Sequence, residues 1–99
     1  MKAEDETIII DGLEFRLTCF ACPEQYDVYR GAKQVGYVRL RGGYFRVDFR
    51  ECGGEMLLEQ TFEDDWKGCF DDDNERSYWL NGAAVVLLDA LTGESSIPA

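Results

Sequence analysis

Apolar and polar positions alternate through the N-terminal part of the chain and give way to a helical repeat near its C-terminus. The clearest stretch is 33–50, KQVGYVRLRGGYFRVDFR. With Gly42-Gly43 as a two-residue turn, Leu40 falls opposite Phe45, Val38 opposite Val47, and Gly36 beneath Phe49. These residues form a core face. The other face sets Arg41 opposite Tyr44, Arg39 opposite Arg46 and Tyr37 opposite Asp48. Like charges directly opposite are destabilising, so Arg39 and Arg46 need an offsetting partner.

Upstream, Asp11-Gly12 is a type I′ hairpin signal. It sets Ile10 opposite Leu13 and Ile8 opposite Phe15. Leu13, Phe15, Leu17 and Cys19 then share a face, alternating with Glu14, Arg16 and Thr18, and Pro23 ends that strand. Parity decides the next connection. A three-residue loop at 31–33 sets Val28 opposite Gly36 and Tyr26 opposite Val38, whereas one slip would turn Val28 toward the arginines. Downstream, a four-residue loop at 51–54 brings Phe49 to Met56 and Val47 to Leu58. It also pairs Arg50 with Glu55 and Arg46 with Glu59 on the outer face. The arginines then form an exposed ion-pair ladder, each pair worth about 0–1 kcal/mol.

Residues 63–72 read as a loop, and a helix follows. Asp72 with Glu75 matches a capping box, and neighbouring acids suit the positive end of the helix dipole. Leu80, Ala84, Leu87, Leu88 and Leu91 recur at helical spacing and should pack on the sheet. Gly93 is the expected C′ residue. Gly82 is a weak point, marking a kink or a close approach to the sheet. The predicted fold is α+β: an antiparallel β-meander of about six strands packed against one C-terminal α-helix. Val38, Leu40, Phe45, Val47, Phe49, Met56 and Leu58 should face the helix. Residues 1–99 make a single domain, with 1–6 and 94–99 as loose termini.

Composition narrows the function. The chain has no histidine, which removes the usual general base and the commonest transition-metal ligand, so no enzyme is expected. The N-terminus MKAEDE has no apolar signal region, and the longest aliphatic run, Ala83 to Leu88, falls far short of the roughly 20 residues that span a membrane. A cytoplasmic protein with no membrane contact and reduced cysteines is expected.

Charge is unevenly placed. Residues 13–50 carry seven basic and four acidic side chains, a net +3, within a chain of formal net charge −10. Residues 51–75 carry ten acids against Lys67 alone, a net −9. The fold should therefore show a basic sheet face and a strongly acidic segment.

Two metal patterns are weighed and set aside. Cys19-Phe-Ala-Cys22 with Cys52 and Cys69 offers four thiolates, but only one CxxC knuckle, and cysteine is often simply buried. Asp71-Asp72-Asp73-Asn74-Glu75 has a calcium-loop flavour but lacks the central Gly and terminal bidentate Glu, and helix capping explains it. No metal and no cofactor is expected. Trp66, Phe70, Tyr78 and Trp79 cluster around the acids. Aromatics beside charges often anchor interfaces, yet a short chain favours Trp66 and Phe70 folding back to plug the sheet end.

CPEQYDVY, QVGYVRLRGGYFRVDF, WKGCF and DDDNER, within residues 22–76, resemble parts of small uncharacterised proteins of bacteriophages and integrative mobile elements. The resemblance implies an origin in mobile DNA, where small acidic proteins include anti-restriction and anti-CRISPR inhibitors.

Three functional expectations follow. The first is a non-catalytic protein-binding module, an acidic inhibitor that occupies the basic nucleic-acid groove of a host defence protein through Glu63, Asp64, Asp65, Trp66 and Asp71. The net charge disfavours direct nucleic-acid binding. The second is a small anionic-ligand or nucleotide-binding domain using Tyr37, Arg39, Arg41, Tyr44 and Arg46. The third is a structural homo-oligomer subunit, because Tyr29, Val35 and Leu57 would form an outer apolar patch. The chain is accordingly expected as a monomer or a homodimer.

Overall fold

The computed structural model describes residues 7–19 and 23–96, excepting the side chains of 19 and 94–96. Six strands form one antiparallel sheet in sequence order: β1 (Thr7–Ile10), β2 (Leu13–Cys19), β3 (Glu24–Arg30), β4 (Lys33–Arg41), β5 (Tyr44–Phe49) and β6 (Met56–Thr61). One helix, α1 (Asp73–Ser96), packs on a single face. This is the α+β meander that the alternation predicts. No helix among the described residues is long and apolar enough to cross a membrane.

The hairpin registers agree with the patterning. Ile8 faces Phe15 and Ile10 faces Leu13. Gly36, Val38 and Leu40 face Phe49, Val47 and Phe45. The core combines Leu13, Phe15, Val28, Val38, Leu40, Phe45 and Val47 of the sheet with Leu80, Ala83, Ala84, Leu87 and Leu91 of α1. Phe70 enters it from the preceding loop, edge-on to Phe45. The helix approaches the sheet closely at Gly36, where a Cβ would lie 2.7 Å from a Leu87 methyl carbon.

Three strand pairs depart from simple alternation, the first where the β2–β3 register shifts between Leu17 and Cys19. The β3–β4 turn holds two residues, since Arg30 pairs with Lys33, and not the three expected. The extra residue is Val35, which bulges between the Val28–Gly36 and Tyr29–Gln34 pairs. Likewise Leu57 bulges between the Val47–Leu58 and Asp48–Met56 pairs. A bulge shifts the side-chain phase by one residue. Val35 is therefore buried in the core, and Leu57 is partly buried against it. Tyr29 lies under the Arg16 guanidinium, 3.9 Å from the ring centroid. The expected outer patch of Tyr29, Val35 and Leu57 thus does not form. Met56 moves the opposite way: it is exposed, with its sulfur 3.4 Å from the Tyr44 hydroxyl oxygen.

The helix begins as expected. Glu75 N–H donates to Asp72 Oδ1 at 2.8 Å, and Asp71 N–H donates to Glu75 Oε1 at 2.7 Å. Its end differs, because helical backbone hydrogen bonding carries through Gly93 to Ser96. Gly93 lies inside the helix and is not a C′ residue. Of the termini expected to be loose, 1–6 and 94–99, residues 1–6 and 97–99 lie outside the described residues.

Candidate functional site

The acidic segment runs from the end of β6 to the start of α1, and the β4–β5 hairpin holds it in place. Phe62 N–H donates to Gly43 O at 2.7 Å, and Gly43 N–H donates to Lys67 O at 2.8 Å. Gly43 has φ +76°, and a Cβ there would collide with the Asp64 carbonyl. Only glycine allows both that backbone conformation and that approach. Within the turn, Trp66 N–H donates to Asp64 Oδ1 at 2.9 Å and Lys67 N–H donates to Asp64 O at 3.1 Å.

The other end of the segment is fastened by a buried carboxylate. Glu24 is on the core face of β3, 5% exposed. It accepts hydrogen bonds from Arg76 Nε at 2.6 Å, Tyr26 Oη at 2.5 Å and the Phe70 N–H at 3.1 Å. Its own N–H donates to Gly68 O at 2.6 Å. A buried charge is tolerated only when paired and hydrogen-bonded, and Glu24 meets both conditions. Burial, with the neighbouring Glu24 carboxylate, holds the Tyr26 hydroxyl protonated well above the ordinary phenol range.

On this frame the predicted partner-binding residues differ in how far they are used internally. Lys67 Nζ binds Asp71 at 2.9 Å and Glu75 at 3.0 Å. Burial alone would depress the lysine pKa, but those carboxylates outweigh it and raise it. Asp73 pairs with Arg76, and Asp72 caps the helix. Asp64 orders the turn. Glu63 and Asp65 are exposed and make no side-chain hydrogen bond or ion pair among the described residues. Phe70 plugs the sheet end as expected, but Trp66 does not fold back: it is 93% exposed. A bulky side chain on a turn this well tied has no intramolecular partner to reach, which the sequence pattern does not show.

The arginine face is arranged differently. Arg46 is bound by Asp48 of its own strand at 2.8 Å, and not by Glu59 as expected. Asp48 is buried and also accepts the Gly53 N–H at 3.0 Å, which folds the β5–β6 loop over this face. Glu59 instead accepts from the Tyr44 hydroxyl at 2.5 Å, which raises the Tyr44 pKa. Tyr37 is nearly buried, donates to Gln25 Oε1 at 3.3 Å and has Arg39 and Cys52 near its hydroxyl. Arg50 has φ +78° just beyond β5, and Phe49 N–H takes the Glu55 carbonyl, so the expected Arg50–Glu55 rung is replaced by a backbone bond. Arg39 and Arg41 make no ion pair among the described residues.

Of the four cysteines, Cys52 and Cys69 have described side chains. Cys52 is a free, exposed thiol on the β5–β6 loop. Cys69 is disulfide-bonded, contrary to the expectation of reduced thiols. Cys52 lies on the β5–β6 connection and Cys69 on the segment between β6 and α1. The disulfide at Cys69 leaves no thiolate there for a four-thiolate site. No cluster of metal-ligating side chains occurs among the described residues. Comparison with protein-family models, with curated proteins and with solved structures finds no match.

Proposed function

We propose that this chain is a non-catalytic protein-binding module of mobile-element origin that acts in the host cell. Its acidic turn occupies a basic, nucleic-acid-binding groove on a host defence protein. Glu63, Asp64, Asp65 and Asp71 supply the negative charge, and Trp66 is the anchor. The observation that carries this reading is the 93% exposure of Trp66 on a hydrogen-bonded turn flanked by exposed acids. Exposed tryptophan on a preorganised loop is what interface hot spots require, since little ordering entropy remains to be lost on binding. Asp72, which caps the helix, and Asp73, which holds Arg76, contribute field more than direct contact.

The test is quantitative affinity capture from host lysate with three baits: the native chain, Trp66→Ala, and a triple reversal of Asp64, Asp65 and Asp71 to Lys. A specific partner is retained by the native chain, lost by both variants and displaced by DNA or RNA. Its binding weakens steeply with salt. Equal retention by all three baits overturns the proposal. A second reading rests on Arg39 and Arg41, which are available to an anionic ligand on the outer face, with Tyr37 beside them. Tyr44 and Arg46 support it less, being already engaged by Glu59 and Asp48.

A further inference from the structure

We propose that β6 and the groove beside it accept an added β-strand from a partner protein, one in which apolar and basic residues alternate. β6 is an outer strand of the sheet, so one side of its backbone has no strand neighbour among the described residues. Such an edge is a template for another chain. Beside it lies a groove of about 520 Å³ between Leu58 and α1, walled by Tyr78, Gly82, Val85 and Val86. Tyr78 and Val85 are 70% and 63% exposed.

Gly82 keeps that groove open. A mid-helix glycine is unfavourable, and close packing on the sheet would be the usual reason for one. Here a Cβ would meet only a Leu58 methyl carbon at 4.0 Å. The fold itself does not require the missing side chain. The space it leaves faces the β6 edge.

Charge selects the occupant. From Glu51 to Trp66 the chain carries Glu51, Glu55, Glu59, Glu63, Asp64 and Asp65 and no basic residue. A second copy docked on this edge would set like charges together, whereas a basic segment is complementary. Leu58 pairs with Val47 on the core face, and Glu59 pairs with Arg46 on the outer face. An added strand keeps the same period of two. Its apolar residues would enter the groove while Lys or Arg residues meet Glu59 on the outer face. The added-strand surface goes beyond the acidic-turn reading. The variants that test it leave that turn unchanged, so the two fail separately.

The test is titration of the isotopically labelled protein with the capped peptide Lys-Val-Lys-Val-Lys-Val-Lys, followed by amide NMR. Saturable shifts should centre on Met56–Thr61 and on Tyr78, Gly82 and Val85. Gly82→Leu, which fills the groove and favours the helix, should weaken binding at least tenfold. Val85→Lys should do the same by repulsion, and replacing the peptide lysines with glutamates should abolish binding. The proposal is overturned by absence of saturable binding, by equal affinity for the folded Gly82→Leu and Val85→Lys proteins, or by shifts confined to the Trp66 turn or the arginine face. A concentration-dependent dimer with β6 amides protected in the absence of peptide would also overturn it, giving the edge to a second copy.

Discussion

The arginine face and the acidic turn carry opposite charge, and they also treat their side chains in opposite ways. On the arginine face the charged and phenolic groups largely satisfy one another: Arg46 with Asp48, Tyr44 with Glu59, Arg16 with Glu14. In the turn the backbone is what is satisfied, through Gly43, Glu24 and Asp64, while Glu63, Asp65 and Trp66 point to solvent. A surface whose polar groups already pair with one another must break those pairs to bind a ligand. A turn whose backbone is fixed and whose side chains are unengaged can bind at lower cost. For this reason the turn is the better candidate, although the arginines are the more conspicuous feature of the sequence.

The comparison can be broken most severely at Glu24. Glu24→Ala leaves the Arg76 guanidinium partly buried beside Tyr26 and releases the Phe70 N–H. Removing one partner of a buried pair costs about 3–5 kcal/mol, so urea unfolding should show a loss near the lower end of that range, Arg76 being partly solvated. A loss below about 1 kcal/mol would mean that the segment is not fastened there. On the other face, Asp48→Ala removes two charge-assisted contacts of Arg46 and the Gly53 tether. It should cost about 2 kcal/mol by the same measurement. If Asp48→Ala proved neutral, the arginines would not be internally satisfied, and the ligand-binding reading would gain.

A smaller effect distinguishes packing from availability within the helix. Gly82→Ala should raise stability by about 0.5–1 kcal/mol, because the added methyl meets open space. Destabilisation would show that the helix needs glycine there for its own packing.

The meander and most of its registers were legible because period-two alternation and the Asp11-Gly12 and Gly42-Gly43 turns constrain one another. The bulges were not. An extra residue in a loop and an extra residue in a strand shift the downstream phase equally, so parity alone cannot place it. The legible clue was the presence of Val35 and Leu57 on a face otherwise lined with charged and polar groups. Bulging turns both toward the core. In the candidate site, the capping role of Asp72 and Glu75 followed from their spacing. The exposure of Trp66 did not, because it depends on contacts between the turn and Gly43 that are remote in sequence. The pairing of Arg46 with Asp48 is an i, i+2 contact along one face of β5, which cross-strand register does not reveal.

A pH dependence sharpens the same contrast. Tyr26 and Tyr37 are raised mainly by burial and Tyr44 mainly by its bond to Glu59, all above the ordinary phenol value of 10.0. Below that value these tyrosines are protonated in both folded and unfolded chains, and their contribution is fully present. As pH rises past about 10, the unfolded chain loses these protons first, so stability should fall. Chemical denaturation between pH 9 and 11 should therefore show a declining midpoint. A flat profile would contradict the hydrogen-bonded state assigned to Glu24–Tyr26 and Tyr44–Glu59.

The central claim is that binding energy resides in the turn and not in the arginine face. The most direct measurement compares partner affinity for Trp66→Ala with that for an Arg39→Ala/Arg41→Ala double variant, both confirmed folded. Both changes lie at surface positions and should leave stability within about 0.5 kcal/mol of the native chain. The account predicts that Trp66→Ala weakens binding by a hundredfold or so, the scale of a hot-spot loss of about 2–3 kcal/mol, while the arginine variant stays within a few-fold of native. Full affinity in Trp66→Ala together with lost affinity in the arginine variant would contradict it.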